Sequence, residues 1–347
     1  FPPGKPRMSG FEMVLNQGVL ILIWIAVVAA STSLPKLGAS LNDITVSGIS
    51  AGAFMAVQYH VAFSGEVSGA GIVAGGPYWC AQDNVAVALS SCMVAPSLIS
   101  VTELSVVTKA TAATGFIDST SNLEGDRVWL FSGSKDTVVS QGVVEKTEKF
   151  YQSFGANTTS VFSVAAEHAM ISDVDGNDCD YLGTPYINNC NLSAAGEILL
   201  WTRGQALHSR SGVVEDNLKE FDQTDFVKLL PNWFAGLDTT GYVYIPTFCQ
   251  KMSGCSLHVH FHGCNQQREK LADEYVRMAG FNEWAEANNI IILYPQAHSN
   301  TLNPQGCFDW WGYAGPNYAS RSGLQVGAFK SMVDRLTATQ EAERGSI

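Results

Sequence analysis

The chain has 347 residues, of which 46% are hydrophobic and 15% are charged. This composition excludes a disordered or collagen-like protein, and the length allows one large domain with a sizeable core. Acidic residues number 32 and basic residues 20, so the formal net charge is −12. Because a surface of this sign repels phosphate backbones, we expect a neutral or cationic substrate and no nucleic-acid partner.

An unbroken apolar run of twelve residues, 19–30, lies near the start of the chain. A membrane-spanning helix needs about twenty apolar residues, so the run is too short for a stable anchor and typical of a secretory signal peptide. A buried core helix is the alternative. We therefore interpret residues 1–33 as an N-terminal extension and signal peptide, and residues 34–347 as a single domain of a secreted, extracellular protein.

Beyond this run, apolar segments rich in Val and Ile alternate with segments of helical pattern. The alternation predicts an α/β fold with a mainly parallel sheet and helices on both faces. The predicted strands are residues 43–47, 69–74, 127–132, 159–165, 241–245, 256–262 and 289–294. The predicted helices are residues 52–63, 139–154, 192–207 and 271–288. Residues 208–238 show no clear periodicity, and we interpret them as an irregular surface segment.

The pentapeptide Gly48-Ile49-Ser50-Ala51-Gly52 fits the pattern G-x-S-x-G and lies between a predicted strand and a predicted helix. A nucleophile elbow requires this context, because its serine adopts a strained backbone conformation and its glycines let the backbone pack tightly. Ser50 is therefore the predicted nucleophile. The start of the following helix would place the backbone N–H of Ala51 beside a developing oxyanion.

A serine nucleophile needs a general base and a group that orients the base. In the α/β-hydrolase fold the acid and then the histidine follow the serine, each after a later strand. Asp136 follows the predicted strand 127–132, and His168 follows the predicted strand 159–165. We predict these two residues as the acid and the base, whereas His60 falls within a predicted helix and His208 lies at the end of one.

Two segments could bind a metal ion. His258, His260 and His262 alternate along one predicted strand and share a face, which could suit zinc, but no acidic residue nearby completes the ligand set. The acidic segment 173–180 offers oxygen ligands to calcium, but it lacks the glutamate that closes an EF-hand loop, and a solvated acidic loop is the alternative. We therefore expect no metal and no other cofactor.

The pair His262-Gly263 ends a predicted strand. Such a pair is typical of the loop that supplies the second oxyanion donor, here the backbone N–H of Cys264. In the usual chain order of α/β-hydrolases this strand precedes the nucleophile elbow, but here it follows the elbow. The order predicts a circularly permuted α/β-hydrolase fold.

The eight cysteines contain no CxxC pair, which favours disulfides in an oxidising compartment over a zinc site. Sequence proximity favours three short-range pairs and leaves the last two cysteines to each other. The predicted disulfides are Cys80–Cys92, Cys179–Cys190, Cys249–Cys255 and Cys264–Cys307.

The motifs together resemble those of the extracellular, single-domain fungal poly(3-hydroxybutyrate) depolymerases. The resemblance extends from about Leu41 to Val333, weakens in residues 208–236, and includes all eight cysteines. It is carried by the elbow, by residues 133–137, by His168, by residues 257–264 and by residues 306–310.

This resemblance implies Ser50, Asp136 and His168 as the triad and the N–H groups of Ala51 and Cys264 as the oxyanion hole. It also implies Trp310 as an aromatic residue of the substrate crevice, although a role in the core is the alternative. The chain departs from the family at Ala51 and Ala53, where Ser and Gly are usual, and in the arrangement of the aromatic residues Phe308 and Trp311.

The predicted function is hydrolysis of poly(3-hydroxybutyrate) or its oligomers by a monomeric serine esterase, through an acyl-enzyme on Ser50. The substrate would be a neutral polyester or oligoester. A feruloyl or short-chain aliphatic carboxylesterase is an alternative, because fold and triad do not set the acyl group. A non-catalytic polymer-binding protein is the alternative outside the enzymes, but such a protein needs no ordered triad.

Overall fold

The computed structural model describes residues 32–227 and 232–339, without the side chains of residues 232 and 233. The apolar run of the predicted signal peptide, residues 19–30, lies outside these residues, so the signal peptide remains a prediction, as does the domain boundary at residue 33. In the two described ranges, no helix combines the length and the apolar character that crossing a membrane requires.

The described residues form an eight-stranded sheet, a small three-stranded sheet and ten α-helices. The strands are β1 (Ile44–Ile49), β2 (Val67–Val73), β3 (Arg127–Phe131), β4 (Asn157–Val161), β5 (Met170–Ser172), β6 (Asn177–Asp178), β7 (Ile187–Asn189), β8 (Leu218–Asp222), β9 (Thr240–Tyr244), β10 (Ser256–Phe261) and β11 (Ile290–Tyr294). The helices are α1 (Ala51–Ala62), α2 (Val85–Leu89), α3 (Val101–Ala113), α4 (Gln141–Gln152), α5 (Ala194–Arg203), α6 (Asn232–Ala235), α7 (Arg268–Leu271), α8 (Glu274–Met278), α9 (Asn282–Asn288) and α10 (Leu324–Thr337).

The large sheet has the strand order β4-β3-β2-β1-β10-β11-β9-β8. The strands from β4 to β11 in this order are parallel, whereas β9 runs antiparallel to both of its neighbours. The strand before the elbow, β1, lies in the middle between β2 and β10. Since carboxyl ends of parallel strands meet at one edge of a sheet, the loops after β1, β3 and β10 converge there.

Side chains of each central strand divide between two hydrophobic cores on opposite faces of the sheet. In β11, Ile291 and Leu293 belong to the core that contains α1 and α10, while Ile290 and Ile292 belong to the core that contains α5 and α9. This alternation follows from the period-two geometry of a strand. The predicted α/β fold, with a mostly parallel sheet covered on both faces, is confirmed.

The single helix predicted over residues 271–288 is wrong, because three short helices, α7, α8 and α9, occupy this region. Ala272 has φ of 49° and Gly280 has φ of 82°, so the backbone leaves the right-handed helical region at both residues. The apolar spacing alone gave no sign of these two interruptions.

The irregular segment predicted over residues 208–238 is wrong where it forms β8, the edge strand that pairs with β9. In this strand Phe221 is buried, whereas Lys219 and Glu220 are exposed. Charged residues on a short strand are typical of a sheet edge and conceal its apolar pattern. His208 lies in the loop before this strand and not in a helix, contrary to the prediction.

All eight cysteines are paired, in the combinations that sequence proximity predicts. Three disulfides close short loops, and the fourth joins segments 43 residues apart. The pairs are Cys80–Cys92, Cys179–Cys190, Cys249–Cys255 and Cys264–Cys307.

Candidate active site

Ser50 lies at the sharp turn between β1 and α1, with φ of 55° and ψ of −125°. Residues other than glycine rarely adopt positive φ, and such a conformation costs about 1–3 kcal/mol. The surrounding backbone holds it in place. The N–H of Ser50 donates to the carbonyl of Val73 at 2.9 Å, and its own carbonyl accepts from the N–H groups of Ala53 and Phe54 at 2.8 and 3.0 Å.

The two glycines of the pentapeptide are required by close backbone contacts. A Cβ atom on Gly48 would collide with the carbonyl group of Gly52, and one on Gly52 would collide with the carbonyl oxygens of Phe261 and His262. Because these neighbours are backbone atoms, no side chain can move away to make room. The turn therefore has the geometry of a nucleophile elbow packed against the end of β10.

Asp136 and His168 form a hydrogen-bonded pair on adjacent loops. The Nδ1 of His168 lies 2.8 Å from Oδ2 of Asp136, and the two side chains are 8% and 1% exposed. The other oxygen, Oδ1 of Asp136, accepts from the backbone N–H groups of Val138 and Val139 at 2.9 and 2.8 Å. A carboxylate held in this way favours the tautomer with hydrogen on Nδ1, which leaves Nε2 free to act as a base.

Ser50 and His168 line a common cavity of about 270 Å³. Cys264 and Trp310 also line it, so the structure brings these four predicted residues together, with the carboxylate of Asp136 bonded to the ring of His168. Ala51, the first residue of α1, directly follows the serine, and its N–H has no partner within the helix. The other lining residues are Ile49, Leu89, Met93, Val138, Val139, Leu182, Tyr186, Gly263, Asn265, Gln266, Gln305, Cys307 and Trp311.

The loop after β10 passes close to the nucleophile. A Cβ atom on Gly263 would lie 3.3 Å from Cβ of Ser50. The N–H of Gly263 donates to Oε1 of Gln266 at 2.7 Å, and the amide nitrogen of Gln266 donates to the carbonyls of Pro185 and Tyr186 at 3.1 and 3.0 Å. Gln266 thus connects two loops of the cavity wall. Sequence reasoning missed this residue, and nothing in its neighbourhood would have indicated it.

Trp310 is at once a wall of the cavity and a nearly buried residue, with 5% of its surface exposed. The backbone of its loop is held by Asp309, whose carboxylate accepts from the N–H groups of residues 311–314 at 2.7 to 3.3 Å. Burial raises the pKa of Asp309 to about 6, and these four hydrogen bonds act in the opposite direction. This role of Asp309 could have been predicted from the sequence, because it is an acidic residue within a run of aromatic residues.

His258 and His260, on one face of β10, and His262, directly after this strand, form internal hydrogen bonds. His258 bonds to the hydroxyls of Thr45 and Ser47, both at 2.7 Å, and His260 lies between Ser47 and Tyr275, at 2.8 Å from each. Burial lowers the pKa of His258 to about 3 and that of His262 to about 4. In residues 32–227 and 232–339, no group of three metal-ligating side chains is placed to bind an ion.

Two carboxylates of the acidic segment 173–180 pair with basic side chains of the chain. Asp173 lies 2.7 Å from Arg210, and Asp180 lies 2.8 Å from Lys135. The hydrogen bond from Lys135 lowers the pKa of Asp180. The segment is therefore partly neutralised by its own neighbours.

No protein-family model matches the chain. Two curated proteins are similar to it over most of its length. A polyhydroxybutyrate depolymerase of Talaromyces funiculosus is 34% identical over 337 residues, which cover 92% of this chain and 96% of that protein. The chain belongs to the poly(3-hydroxybutyrate) depolymerase family. A poly(3-hydroxybutyrate) depolymerase of Delftia acidovorans is 41% identical over 326 residues, but this chain spans only 64% of its length.

Two solved structures of the family share the fold of this chain, each with a TM-score of 0.80. One is the PHB depolymerase from Penicillium funiculosum, at 32% identity, and the other is a serine-to-alanine variant of a PHB depolymerase complexed with an R3HB trimer, at 33% identity. Both alignments cover 88% of this chain and 99% of the solved chain. The resemblance that the sequence motifs indicated is confirmed.

Proposed function

We propose that this protein is a secreted serine esterase that hydrolyses poly(3-hydroxybutyrate) or its oligomers through an acyl-enzyme on Ser50. The observation that carries the proposal is the hydrogen-bonded pair Asp136–His168 beside the elbow of Ser50 in one cavity, in a chain of this family. Membership of a family whose solved members include a complex with an R3HB trimer supports an oligoester as the substrate.

In the proposed mechanism, Nε2 of His168 accepts the proton of Ser50 as Oγ attacks the ester carbonyl carbon. The carboxylate of Asp136 stabilises the imidazolium that forms. The oxyanion of the tetrahedral intermediate accepts hydrogen bonds from the backbone N–H groups of Ala51 and Cys264. The intermediate then collapses, the C–O bond to the alcohol breaks, and His168 returns its proton to the leaving alkoxide.

The second half of the reaction reverses these roles. Water attacks the acyl-enzyme while His168 accepts its proton, and a second oxyanion forms at the same N–H groups. When this intermediate collapses, the proton passes from His168 to Oγ of Ser50. The products are a hydroxy acid and a shortened chain or alcohol, and the enzyme is restored.

The walls of the cavity fit a neutral polyester. Leu89, Met93, Val138, Leu182 and Trp310 present apolar or aromatic surface. A polymer of neutral esters offers few charges to recognise, so apolar area and aromatic faces supply most of the binding free energy. The four disulfides support secretion, since disulfides persist in oxidising compartments.

For the fold we propose a circularly permuted α/β-hydrolase. When the strands are counted along the chain from β8, β10 becomes the third, and His262-Gly263 directly follow it. In α/β-hydrolases the loop after the third strand supplies an oxyanion donor. The two ends of the described chain also meet. Leu37 donates to the carbonyl of Leu336 at 3.2 Å, and Gly38 donates to that of Ala338 at 2.9 Å. Neighbouring ends permit such a permutation.

The proposal is tested by incubating the protein with a hydroxybutyrate trimer, methyl ferulate and p-nitrophenyl acetate, and by measuring the products. We expect the trimer to be cleaved with a higher kcat/KM than the ferulate, and a phosphonate ester inhibitor to label Ser50. In Ser50→Ala, kcat should fall by about 10⁴-fold or more. Preferred cleavage of the ferulate, or labelling at another residue, would contradict the proposal.

A further inference from the structure

Glu167 is a buried carboxylate directly before the base in the chain, and the proposed mechanism does not use it. The residue is 8% exposed. Its Oε2 accepts the backbone N–H of His168 at 2.7 Å and the backbone N–H of Thr137 at 3.2 Å. Thr137 directly follows Asp136. The single atom Oε2 of Glu167 therefore bonds to the backbone of both His168 and Thr137.

Other hydrogen bonds between the two loops lie on the opposite side of Asp136 along the chain. The N–H of Ser134 donates to the carbonyl of Val164 at 2.8 Å, and that of Lys135 donates to the carbonyl of Ala166 at 3.1 Å. Glu167 adds the bond that follows Asp136. Hydrogen bonds to the loop of His168 therefore lie both before and after Asp136 in the chain. They fix the backbone of Asp136 relative to His168.

The backbone of Glu167 is itself well anchored. Its N–H donates to the carbonyl of Cys179 at 3.0 Å, and Cys179 forms a disulfide with Cys190, next to β7. Hydrogen bonds to an ionised acceptor are roughly twice as strong as neutral ones. Loss of this carboxylate would leave the buried N–H of His168 and the partly buried N–H of Thr137 without their acceptor, so the loops would have to shift to find new partners.

We propose that Glu167 is a positioning residue, which sets the geometry of the Asp136–His168 pair through the N–H groups of Thr137 and His168. The inference rests on the proposed esterase function, because it concerns the same triad. Glu167 is not among the residues that line the cavity of Ser50, and its Oε2 bonds to two backbone N–H groups. Its removal should therefore slow the acyl-transfer steps and leave substrate binding unchanged, since a displacement of about 1 Å in a catalytic group can cost about 100-fold in rate.

The deciding comparison is between Glu167→Gln and Glu167→Asp. The glutamine variant loses the charge but keeps an oxygen at the same reach, so it can still accept both N–H groups. The aspartate variant keeps the charge but withdraws the oxygen by one methylene. Glu167→Ala removes the acceptor entirely, and Glu274→Ala, at an exposed glutamate of α8, is the matched control.

Each variant is assayed with p-nitrophenyl acetate and the hydroxybutyrate trimer, and kcat is divided by the concentration of sites that a phosphonate ester titrates. The titration is run to completion, because phosphonylation of Ser50 uses the same base, and it then counts only folded sites, so lost stability does not pass for lost catalysis. We expect kcat per site to fall about 10- to 100-fold in Glu167→Asp and Glu167→Ala, with KM within about twofold of the wild-type value. Glu167→Gln should keep at least about a third of kcat, and Glu274→Ala should match the wild type.

The inference is overturned if Glu167→Asp retains kcat while Glu167→Gln loses it, because charge and not position would then matter. It is also overturned if all Glu167 variants keep the wild-type kcat per site, or if their losses arise in KM. These two variants give the decision even when Glu167→Ala does not fold. Failure of the proposed function is recognised separately, as a wild-type protein that neither cleaves esters nor reacts with the phosphonate.

Discussion

The indole ring of Trp310 stacks on the phenyl ring of Phe54, with 4.1 Å between the ring centroids and 21° between the ring planes. Phe54 belongs to the first turn of α1, the helix that begins directly after Ser50. One wall of the cavity is thereby fixed to the helix of the proposed nucleophile. The two interpretations of Trp310, as a crevice residue and as a core residue, are thus compatible.

Trp310→Ala should therefore reduce both stability and activity on long substrates. Truncating a buried tryptophan costs about 3–5 kcal/mol in the free energy of unfolding. The lost wall should lower kcat/KM for the hydroxybutyrate trimer by more than for p-nitrophenyl acetate, because the smaller ester has less apolar surface to place against that wall. Urea unfolding and the two assays at 20 °C provide the measurements, and equal losses on both esters would contradict a role in binding.

The strained backbone of Ser50 predicts different stabilities for two inactivating substitutions. Ser50→Gly should stabilise the protein by about 1 kcal/mol relative to Ser50→Ala, since glycine adopts a φ of 55° without strain. The gain is reduced by the greater freedom of glycine in the unfolded chain. Urea unfolding midpoints of the two variants decide the matter. An alanine variant as stable as the glycine variant would mean that the elbow stores little strain.

The buried histidines of β10 predict that stability falls in acid. The folded pKa values of His258 and His262, about 3 and about 4, lie below the ordinary value of 6.5. Between pH 6.5 and pH 4 the unfolded chain therefore binds protons that the native protein does not. Each of these histidines should lower the free energy of unfolding by about 1.4 kcal/mol per pH unit in this range, or about 2 kcal/mol at pH 5.

Asp309 has the opposite effect on the free energy of unfolding as the pH falls. Its folded pKa of about 6 lies above the ordinary value of 3.8, so below pH 6 the native form binds a proton that the unfolded chain does not. Two histidines outweigh one carboxyl, and burial also lowers the pKa of His260. We expect a lower free energy of urea unfolding at pH 5 than at pH 7. In His258→Gln the difference between the two pH values should shrink. Equal stability at both pH values in the wild type would refute this account.

Residues that act through local sequence patterns could be predicted from the sequence. The elbow depends on Gly48 and Gly52, and the pair Asp136–His168 depends on the order of the strands. Both features can therefore be recognised in the sequence. Glu167 and Asp309 were not predicted, because each carboxylate accepts backbone N–H groups whose positions only the folded chain defines. The breaks between α7, α8 and α9 could not be predicted either, because apolar spacing does not indicate the positive φ of Ala272 and Gly280.

The proposed permutation predicts that the chain can be reopened at a new position. Joining residue 339 to residue 34 through a short Gly-Ser linker should be possible, since a Cβ atom on Gly38 would lie 3.6 Å from the side chain of Thr339. New ends fit between Gly212 and Val213, in the irregular segment between α5 and β8, where a Cβ on Gly212 would meet no atom within 4 Å. This chain would begin close to β8 and carry the oxyanion loop before the elbow.

We expect this permuted chain to fold and to keep kcat/KM for the hydroxybutyrate trimer within about tenfold of the parent value, because the cut and the joint both lie at the surface, away from the cavity. The matched control carries the same linker but is opened within β11, the buried strand between β10 and β9, and should not fold. Circular dichroism, urea unfolding and the trimer assay compare the two chains. If the Gly212–Val213 permutant aggregates like the β11 control, the chain cannot be linked at its present ends and opened at this loop. That outcome would contradict the permuted fold.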